Sequence, residues 1–394
     1  MTGSVLIHVQ YLLGIGHLQR TRRIGEALAR RGIAVTLVSG GPPVPALEEP
    51  RRLRLVQLPP IRALDSRFEL VDNNGRPIDA TIRAARLRML LDAFTGSRPD
   101  VVVVEGFPFA RRAFRFELDP LIVAARQAGA RLVCSIRDIV NPRDDPVRDD
   151  EIVRRVRSDF DLVLVHGDPS LVPFDAGFPA ATEISDRLRY TGYVTERAAV
   201  EHGETSGGEI LVSAGGGPAG RVLLQTALAA RKLGCLAERP WRLLAGGGLP
   251  DADFAALTDD APPGLVVERF RADFPALLRR CHISVSQAGY NTALDILTMQ
   301  KRAVLVPFAA GREREQLIRA GRIAALGAAE MLRESELSAA NLAAAIEAAA
   351  GRHPTAIDLD IDGAETSATL IAELVATGAP GGSAAVRGSG IIPR

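Results

Sequence analysis

The sequence has little of several features that would mark particular classes of protein. Only three cysteines occur in 394 residues, Cys134, Cys235 and Cys281, without a CxxC pair or a histidine at zinc-finger spacing. This excludes a disulfide scaffold and a zinc finger, and it favours a reducing cytoplasm. The 48 basic and 47 acidic side chains nearly cancel, so no overall charge attracts nucleic acid. The charge balance favours a small ligand as the partner.

Long apolar runs are also absent. No run approaches the length of about 18 residues that a membrane-spanning helix requires. The chain opens directly on a strand pattern, SVLIHV, without the charged and apolar segments of a signal peptide. We therefore expect a cytoplasmic protein, and peripheral contact with a membrane surface stays open.

Short runs rich in Val, Ile and Leu alternate with longer amphipathic segments in both halves of the chain. Parallel strands that are covered on both faces have this pattern, so each half is predicted to be a doubly wound α/β domain. In the first half the predicted strands are residues 4–9, 34–39, 53–58, 101–105, 131–135 and 162–166. In the second half they are residues 209–214, 241–244, 265–269, 283–286 and 303–306.

A polar segment that ends in glycine, ERAAVEHGETSGG, separates the two series of strands and has the composition of a linker. We predict an N-terminal domain of residues 1–195, a linker of residues 196–208 and a C-terminal domain of residues 209–377. Residues 378–394 are rich in Gly, Ser and Ala without periodicity, and they are predicted to be disordered. The expected site is a cleft between the carboxyl edges of the two sheets.

Each half opens with a strand, a glycine-rich turn and a helix. The turns are GIGHLQR at residues 14–20 and AGGGPAGR at residues 214–221. Such turns bring bare backbone N–H groups close to phosphate oxygens, although a tight turn without a ligand is the alternative. The candidate phosphate contacts are Gly14, Gly16, Gly215, Gly216 and Gly217. Neither turn is a P-loop, and the first lacks the third glycine of a dinucleotide fingerprint, so no cofactor is expected.

His17 lies at the start of the helix that follows the first turn, where it is predicted to face the cleft. A helix N-terminus lowers the pKa of an imidazole and favours its neutral, proton-accepting form. We predict that His17 is a general base, and a capping or packing role is the alternative. His166, at the end of a predicted strand, is a second candidate, whereas His8 and His282 are expected to be core or strand-edge residues.

The segment of residues 284–329 carries the most informative pattern. A strand leads into Gln287, and a helix opens near Asn291 with an acidic residue one turn along. A helix N-terminus suits a diphosphate, and one carboxylate can accept hydrogen bonds from two ribose hydroxyls. The pattern predicts a nucleoside diphosphate site formed by Gln287, Gly289, Asn291, Thr292 and Asp295.

This order of features resembles the donor-binding half of family 28 glycosyltransferases, such as the lipid-linked N-acetylglucosaminyltransferase of peptidoglycan synthesis. The resemblance implies the GT-B fold, in which two Rossmann-like domains face a cleft, and a UDP-sugar as the donor. It implies that Asp295 stands where the family has a ribose-binding Glu. It also implies contacts with the donor sugar for Glu315 and Gln316, and with the uracil edge for the backbone of Phe270 and Arg271.

The N-terminal motif GIGHLQR departs from the GxGGH form of the peptidoglycan enzyme. It is similar to the GIGHVMR form of the nucleotide-sugar hydrolase of pseudaminic acid synthesis, in which the matching histidine is catalytic. The wider pattern, YLLGIGHLQRTRRIGEALARRGIAVTLVSGGPP, resembles bacterial glycosyltransferases. These resemblances imply an inverting glycosyltransferase with an unidentified hydroxyl acceptor. A hydrolase of the same fold and a non-catalytic sugar-nucleotide-binding protein are the alternatives.

The segment EGFPFARRAFRFE, residues 105–117, holds four of the 13 phenylalanines and three arginines just beyond a predicted strand. Aromatic rings with arginine at this edge form either an acceptor pocket with an anion clamp or a packed loop with solvated arginines. The candidate acceptor-side residues at this and the next strand end are Glu105, Phe107, Arg111, Arg137 and Asp138.

A metal site is not predicted. The acidic motif Asp251-Ala252-Asp253 begins a predicted helix, where acids complement the helix dipole, and Asp358-Leu359-Asp360 lies outside the main series of strands. We expect backbone N–H groups and helix N-termini to meet the charge of the diphosphate instead.

Overall fold

The computed structural model describes residues 3–12, 15–44, 52–63, 69–142, 145–195, 208–215, 220–234, 236–269, 271, 273–309 and 313–378. Four predicted site residues, Gly14, Gly216, Gly217 and Phe270, lie outside these ranges. Nearly all of the predicted linker and of the predicted disordered tail lies outside them as well.

The first half of the chain builds a parallel sheet of seven strands in the order β3-β2-β1-β6-β7-β8-β9, and a two-stranded antiparallel ribbon, β4-β5, accompanies it. The strands are β1 Ser4–Val9, β2 Ala34–Ser39, β3 Leu53–Gln57, β4 Arg62–Ala63, β5 Leu70–Val71, β6 Val101–Glu105, β7 Arg131–Arg137, β8 Leu162–His166 and β9 Leu188–Tyr190. Alternate residues of β1 enter different hydrophobic clusters, Leu6 on one face and Val5 and Ile7 on the other. Both faces are therefore buried, which explains why these strands have uninterrupted apolar sequences.

The second half builds a parallel sheet of six strands in the order β12-β11-β10-β13-β14-β15. Its strands are β10 Ile210–Ser213, β11 Trp241–Leu244, β12 Leu265–Glu268, β13 Ile283–Ser286, β14 Ala303–Leu305 and β15 Glu330–Met331. In both sheets the first strand lies in the middle, and the strands on either side of it run outward in sequence order. The prediction of two doubly wound α/β domains is confirmed.

Helices cover both sheets. They are α1 Gly16–Arg30, α2 Ala80–Ser97, α3 Arg115–Gln127, α4 Pro146–Asp159, α5 Arg221–Ala230, α6 Asp251–Asp259, α7 Phe274–Arg280, α8 Tyr290–Thr298, α9 Glu315–Ala325, α10 Ala339–Ala350 and α11 Gly363–Thr377. Capping side chains mark where some helices begin. At the start of α2, for example, the side chain of Asp79 accepts a hydrogen bond from the N–H of Ile82 at 2.8 Å. Two helices matter most for the site, because α1 and α8 follow β1 and β13 at the carboxyl edges of the two sheets.

The last helix packs against the N-terminal sheet, although its residues fall in the range predicted for the C-terminal domain. Ala368 and Ile371 of α11 share a hydrophobic cluster with Ile7 of β1 and Ile24 of α1. Glu365 of α11 also pairs with Arg30 of α1 at 2.6 Å. The chain therefore returns to the first domain after completing the second.

The two chain crossings between the domains contact each other. The N–H of Tyr193 donates to the carbonyl of Asp360 at 2.7 Å, and the N–H of Gly363 donates to the carbonyl of Tyr193 at 3.1 Å. A Cβ atom at Gly363 would lie 2.5 Å from the carbonyl oxygen of Gly192, so this close approach requires glycine. The paired crossings set how the two carboxyl edges face each other.

Candidate functional site

His17 lies in the first turn of α1, at the carboxyl edge of the N-terminal sheet. Its Nδ1 atom is 2.7 Å from Oε1 of Glu105, which is the last residue of β6. Strands β1 and β6 are neighbours in the sheet, so the turn after one lies beside the end of the other. The topology thus brings together two residues that are 88 positions apart.

Arg20, one helical turn after His17, binds the same carboxylate. One of its terminal nitrogens is 2.5 Å from Oε1 of Glu105. A carboxylate only accepts hydrogen bonds, so the proton on the imidazole belongs on Nδ1, which donates to Glu105. The second ring nitrogen, Nε2, is then unprotonated and can accept a proton from a ligand.

The pKa shifts fit a neutral imidazole beside a carboxylate anion. Burial lowers the pKa of His17 to about 4 against the opposing effect of Glu105, and the nearby charges of Arg111 and Arg20 lower it further. Burial alone would raise the pKa of Glu105, but its interactions with His17, Arg20 and Arg111 hold it well below its usual value. The His17 side chain keeps 23% exposure, which leaves the ring accessible from the cleft. At neutral pH the pair has the charge state of a general base and its anionic partner.

The N-terminus of α8 lies across the cleft from His17. A Cβ atom at Gly16 would lie 3.4 Å from Nδ2 of Asn291, so the starts of α1 and α8 are adjacent. Gly289 has an extended conformation and precedes the first turn of α8, in which Asn291 is exposed and Thr292 half-buried. The first N–H groups of a helix have no partner within it, so this turn offers donors to an anion in the cleft.

Other residues predicted for the donor site follow strands of the C-terminal sheet or lie on α8. Gly215, after β10, has a φ of 69°, and a Cβ atom there would lie 3.5 Å from Oε1 of Gln287. Asp295 is half-buried on α8, about one turn beyond Asn291. The side chain of Arg271 is held at the surface by Asp273 at 2.8 Å and Glu268 at 3.2 Å. Its predicted contact with a base is through the backbone, which these pairs leave unaffected.

Glu315 and Gln316 begin α9, and both have protein partners in this structure. Glu315 is buried, with Oε1 accepting from Arg319 at 2.9 Å and Oε2 paired with Arg137 of the other domain. Oε1 of Gln316 accepts from the N–H of Phe308 at 3.1 Å. In this arrangement Glu315 joins the two domains, and its predicted contact with a donor sugar would require a carboxylate oxygen to exchange partners.

Asp138, a predicted acceptor-side residue, is fully buried in the domain interface. Oδ1 accepts from Arg319 at 2.9 Å, and Oδ2 accepts from the same guanidinium at 3.2 Å. The remaining terminal nitrogen of Arg319 donates to the carbonyl of Ala288 at 3.0 Å. The structure therefore corrects the prediction for Asp138: both oxygens are used in an ion pair between the domains, and no face is left for an acceptor.

Tyr290, the first residue of α8, also connects the domains. Two guanidinium groups lie over its ring, that of Arg20 at 5.7 Å and that of Arg319 at 5.6 Å from the ring centroid. Its hydroxyl donates to the carbonyl of His166 at 3.2 Å and accepts from the N–H of Val194 at 3.3 Å. Sequence reasoning missed Arg20, Arg319 and Tyr290. The spacing of Arg20 three residues after His17, on the same helix face, was the available signal for the first.

His166 is not free to act as a base in this structure. Its Nε2 is 2.7 Å from Oγ of Ser135, and its Nδ1 is 2.9 Å from Oγ1 of Thr191. The side chain is fully buried, and burial lowers its pKa to about 3. Both ring nitrogens are therefore hydrogen-bonded to side chains inside the N-terminal domain.

The aromatic segment after β6 is a packed loop, one of the two alternatives drawn from the sequence. Phe107, Phe109 and Phe114 lie in the hydrophobic core, and the ring of Phe109 meets those of Phe174 and Phe178 edge-on, with centroids 5.5 and 5.1 Å away. Phe107 is therefore a core residue, which corrects its assignment to an acceptor pocket. Arg111 instead approaches the site, with a terminal nitrogen 3.9 Å from Oε2 of Glu105.

The described part of the chain contains neither a membrane-spanning helix nor a cluster of metal ligands. No helix there is both long and apolar enough to cross a membrane. Within the same residues, no group of three or more His, Cys, Asp or Glu side chains is arranged to hold a metal ion.

Comparisons with known proteins match each half to a glycosyltransferase domain. Residues 244–380 match the glycosyltransferase family 28 C-terminal domain, and residues 16–184 match the glycosyl transferase 4-like domain. Both matches agree with the resemblance drawn from the motifs.

Curated relatives match over parts of their length. The UDP-N-acetylglucosamine–N-acetylmuramyl-(pentapeptide) pyrophosphoryl-undecaprenol N-acetylglucosamine transferase of Brucella anthropi is 35% identical over 21% of this chain and 22% of its own. The enzyme of the same name from Prochlorococcus marinus is 24% identical over 41% of this chain and 47% of its own. The chain thus matches less than half the length of these relatives.

Solved structures match over almost the whole chain. The glycotransferase of kitacinnamycin superposes with a TM-score of 0.60 at 17% identity, covering 95% of this chain and 96% of its own. MurG of Acinetobacter baumannii superposes with a TM-score of 0.58 at 17% identity, covering 95% and 99%. At such identities the likeness concerns the fold. The chain therefore has the GT-B fold and resembles the family 28 glycosyltransferases in its C-terminal half.

Proposed function

We propose that this protein is an inverting glycosyltransferase that moves a sugar from a nucleoside diphosphate sugar to a hydroxyl group of an acceptor. The match of residues 244–380 to the family 28 C-terminal domain supports the donor class. The names of the relatives specify UDP-N-acetylglucosamine as their donor, which supports a UDP-sugar for this chain.

One observation carries the proposal: a neutral histidine paired with a carboxylate anion lies directly opposite the start of a donor-domain helix. The 2.7 Å contact with Glu105 orients the imidazole of His17, and a Cβ atom at the neighbouring Gly16 would lie 3.4 Å from Nδ2 of Asn291 at the start of α8. A nucleotide-sugar whose diphosphate binds these N–H groups places its anomeric carbon within the cleft, near His17.

The reaction follows from this placement. The acceptor hydroxyl gives its proton to Nε2 of His17 while its oxygen forms a bond to the anomeric carbon. The bond from that carbon to the diphosphate oxygen breaks on the opposite side, and the electron pair leaves with the diphosphate. Glu105 balances the imidazolium that forms, and the start of α8 together with the turn at Gly215 stabilises the leaving group.

Asp295 is proposed to hold the ribose. It follows Asn291 by one turn of α8, so a nucleotide whose diphosphate lies at the helix start can present its ribose hydroxyls to the carboxylate. The backbone near Arg271, after β12, is proposed to contact the base. Gln316 is proposed to contact the donor sugar from the start of α9.

Product analysis tests the proposal. The purified full chain is incubated with a panel of UDP-sugars, with and without candidate hydroxyl acceptors, and UDP and free sugar are quantified separately. We expect UDP release that depends on the acceptor. Equal release of UDP and free sugar without any acceptor would identify a hydrolase, and binding without turnover would identify a sugar-nucleotide-binding protein. Either result would contradict the proposed transfer.

A further inference from the structure

Arg111 has a conformation that turns its side chain toward the site. Its φ of 61° lies in the left-handed region, which is uncommon for residues other than glycine. Its Cγ atom approaches Gly106, where a Cβ atom would lie 3.4 Å away. The side chain is only 12% exposed. Strained backbone of this kind persists where the surrounding structure holds it, and it is concentrated at functional sites.

The guanidinium of Arg111 lacks hydrogen-bond partners among the described residues. Its Nε atom is buried without a partner, and the contact of a terminal nitrogen with Oε2 of Glu105, at 3.9 Å, is too long for a hydrogen bond. Oε2 of Glu105 is likewise buried without a partner, whereas Oε1 already binds His17 and Arg20. A buried cation whose N–H donors lack acceptors destabilises the folded protein unless a bound ligand supplies those acceptors.

The surroundings of Arg111 are rich in positive charge. Burial is the main cause that lowers its pKa, and Arg137 and Arg20 contribute, so these guanidinium groups lie close by. Arg137 is paired with Glu315 across the cleft, and Arg20 is paired with Glu105. Arg111 is therefore the member of this group whose donors are not used by a close carboxylate.

We propose that Arg111 binds an anionic group of the acceptor, a carboxylate or a phosphate, and holds it beside the hydroxyl that His17 deprotonates. The inference rests on the proposed function and names the acceptor class, a hydroxyl compound that carries a nearby negative charge. The planar fork of a guanidinium matches both kinds of anion with two parallel hydrogen bonds. Arg111 belongs to the N-terminal domain, beside Glu105, whereas the proposed diphosphate donors at the start of α8 belong to the C-terminal domain.

The binding test uses simple anions. Methyl phosphate or acetate is titrated calorimetrically into the full chain at constant ionic strength, with UDP at saturation to fill the donor site. Arg111→Gly removes the cation and suits the left-handed backbone, and Arg111→Lys keeps the charge without the fork. Arg112→Gln is the matched control, because the neighbouring Arg112 side chain is 54% exposed and only loosely paired with Glu151.

We expect at least one of the two anions to bind the UDP-saturated wild-type protein, with affinity reduced by about tenfold or more in Arg111→Gly, the loss expected for hydrogen bonds to a charged group. Arg111→Lys should give an intermediate affinity, and Arg112→Gln the wild-type value. Equal affinity in Arg111→Gly, or no anion binding to the wild-type protein, would overturn the inference. Competition between the anion and UDP would assign the anion to the donor site and would also overturn it.

A second arm distinguishes failure of this inference from failure of the proposed function. If UDP does not bind, the proposed donor site is wrong, and the same titrations without UDP still measure the dependence on Arg111. Where turnover is found, each acidic acceptor is compared with its neutral methyl ester. The acid should be preferred by the wild-type protein, and Arg111→Gly should lose that preference. A preference that survives the substitution contradicts the role of Arg111.

Discussion

At the scale of the residue, the candidate site depends on one carboxylate, that of Glu105, which accepts hydrogen bonds from two side chains. Oε1 of Glu105 binds both His17 and Arg20, and this arrangement places the imidazole proton on the nitrogen that faces away from the cleft. The helix N-terminus was expected to lower the pKa of His17, but burial is the main cause of the shift. The proposed base, His17, is therefore neutral because it is buried in the fold, and Glu105 orients its ring.

The lowered pKa predicts an unusual pH dependence. Protonated imidazole cannot accept a proton, so activity should fall only as the pH drops through about 4, the pKa of His17 in the folded protein. We expect kcat/KM to be constant from neutral pH down to about 5, because this ratio reports groups of the free enzyme. Circular dichroism at each pH confirms that the protein stays folded. A loss of activity centred near pH 6.5, the usual histidine value, would contradict the account.

Asp295 gives a second prediction at this scale. If its carboxylate holds two ribose hydroxyls, Asp295→Ala should weaken UDP binding by about 1.5 to 3 kcal/mol, the range for hydrogen bonds to a charged group. Calorimetry measures the change, and Asp259→Ala is the control because Asp259 is exposed at the end of α6. Unchanged UDP affinity in a folded Asp295→Ala protein would remove this residue from the site.

The sequence indicated part of this site and not the rest. The sequence made His17 and Glu105 candidates because a glycine-rich turn and a strand end mark the carboxyl edge of a sheet, but Glu105 was assigned to the acceptor side and its pairing with His17 was not predicted. Tyr290 was not, because its hydroxyl bonds to the carbonyl of a residue 124 positions away, and the pairing of Arg319 with Asp138 spans 181 positions. Contacts between domains depend on how the domains pack, which local sequence patterns do not record.

At the scale of the element, apolar runs predicted the central strands closely. The predicted limits of β1, β2, β6, β8, β11 and β13 match the observed ones. The ends of buried parallel strands can be predicted from the sequence because both faces of such strands require apolar side chains. The packing of α11 on the first domain was not predictable, because the apolar stripe of a helix does not specify which sheet it will cover.

Helix α9 provides the prediction at this scale. Its Arg319 is buried and bound to two carboxylates, Asp138 of the other domain and Glu315 of its own helix, so Asp138→Ala removes one of these two partners. We expect a loss of about 1.5 to 3 kcal/mol of stability, the range for hydrogen bonds to a charged group, visible as a lower melting temperature in calorimetry. The control is Glu330→Ala, which breaks a pair with Arg352, a side chain that is 71% exposed, and should cost about 1 kcal/mol or less. Similar losses in the two variants would contradict a special role for the interdomain pair.

At the scale of the whole molecule, the proposed base and the proposed donor site come from different domains. Tyr290 starts α8, the helix proposed to bind the diphosphate, and its ring stacks on Arg20, which binds Glu105, the partner of His17. The orientation of the base is thus linked through three contacts to the donor half. Turnover should require the interdomain contacts seen in this structure.

The absence of metal chemistry is a prediction for the whole molecule. Backbone N–H groups at helix starts are proposed to stabilise the leaving diphosphate, which makes a divalent cation unnecessary. We expect activity to persist in excess EDTA. Activity that is lost in EDTA and restored by magnesium or manganese would show that a cation supplies this stabilisation.

The central claim is that His17 acts on the acceptor across the cleft from an independently formed nucleotide site. The most direct test measures turnover and UDP affinity in the same preparation of His17→Ala, with His282→Ala, a substitution at the amino end of β13, as the control. A general base contributes to the transition state, so turnover should fall by about 10² to 10⁴-fold while UDP affinity changes little. Near-normal turnover in His17→Ala, or loss of turnover together with UDP affinity, would contradict the account.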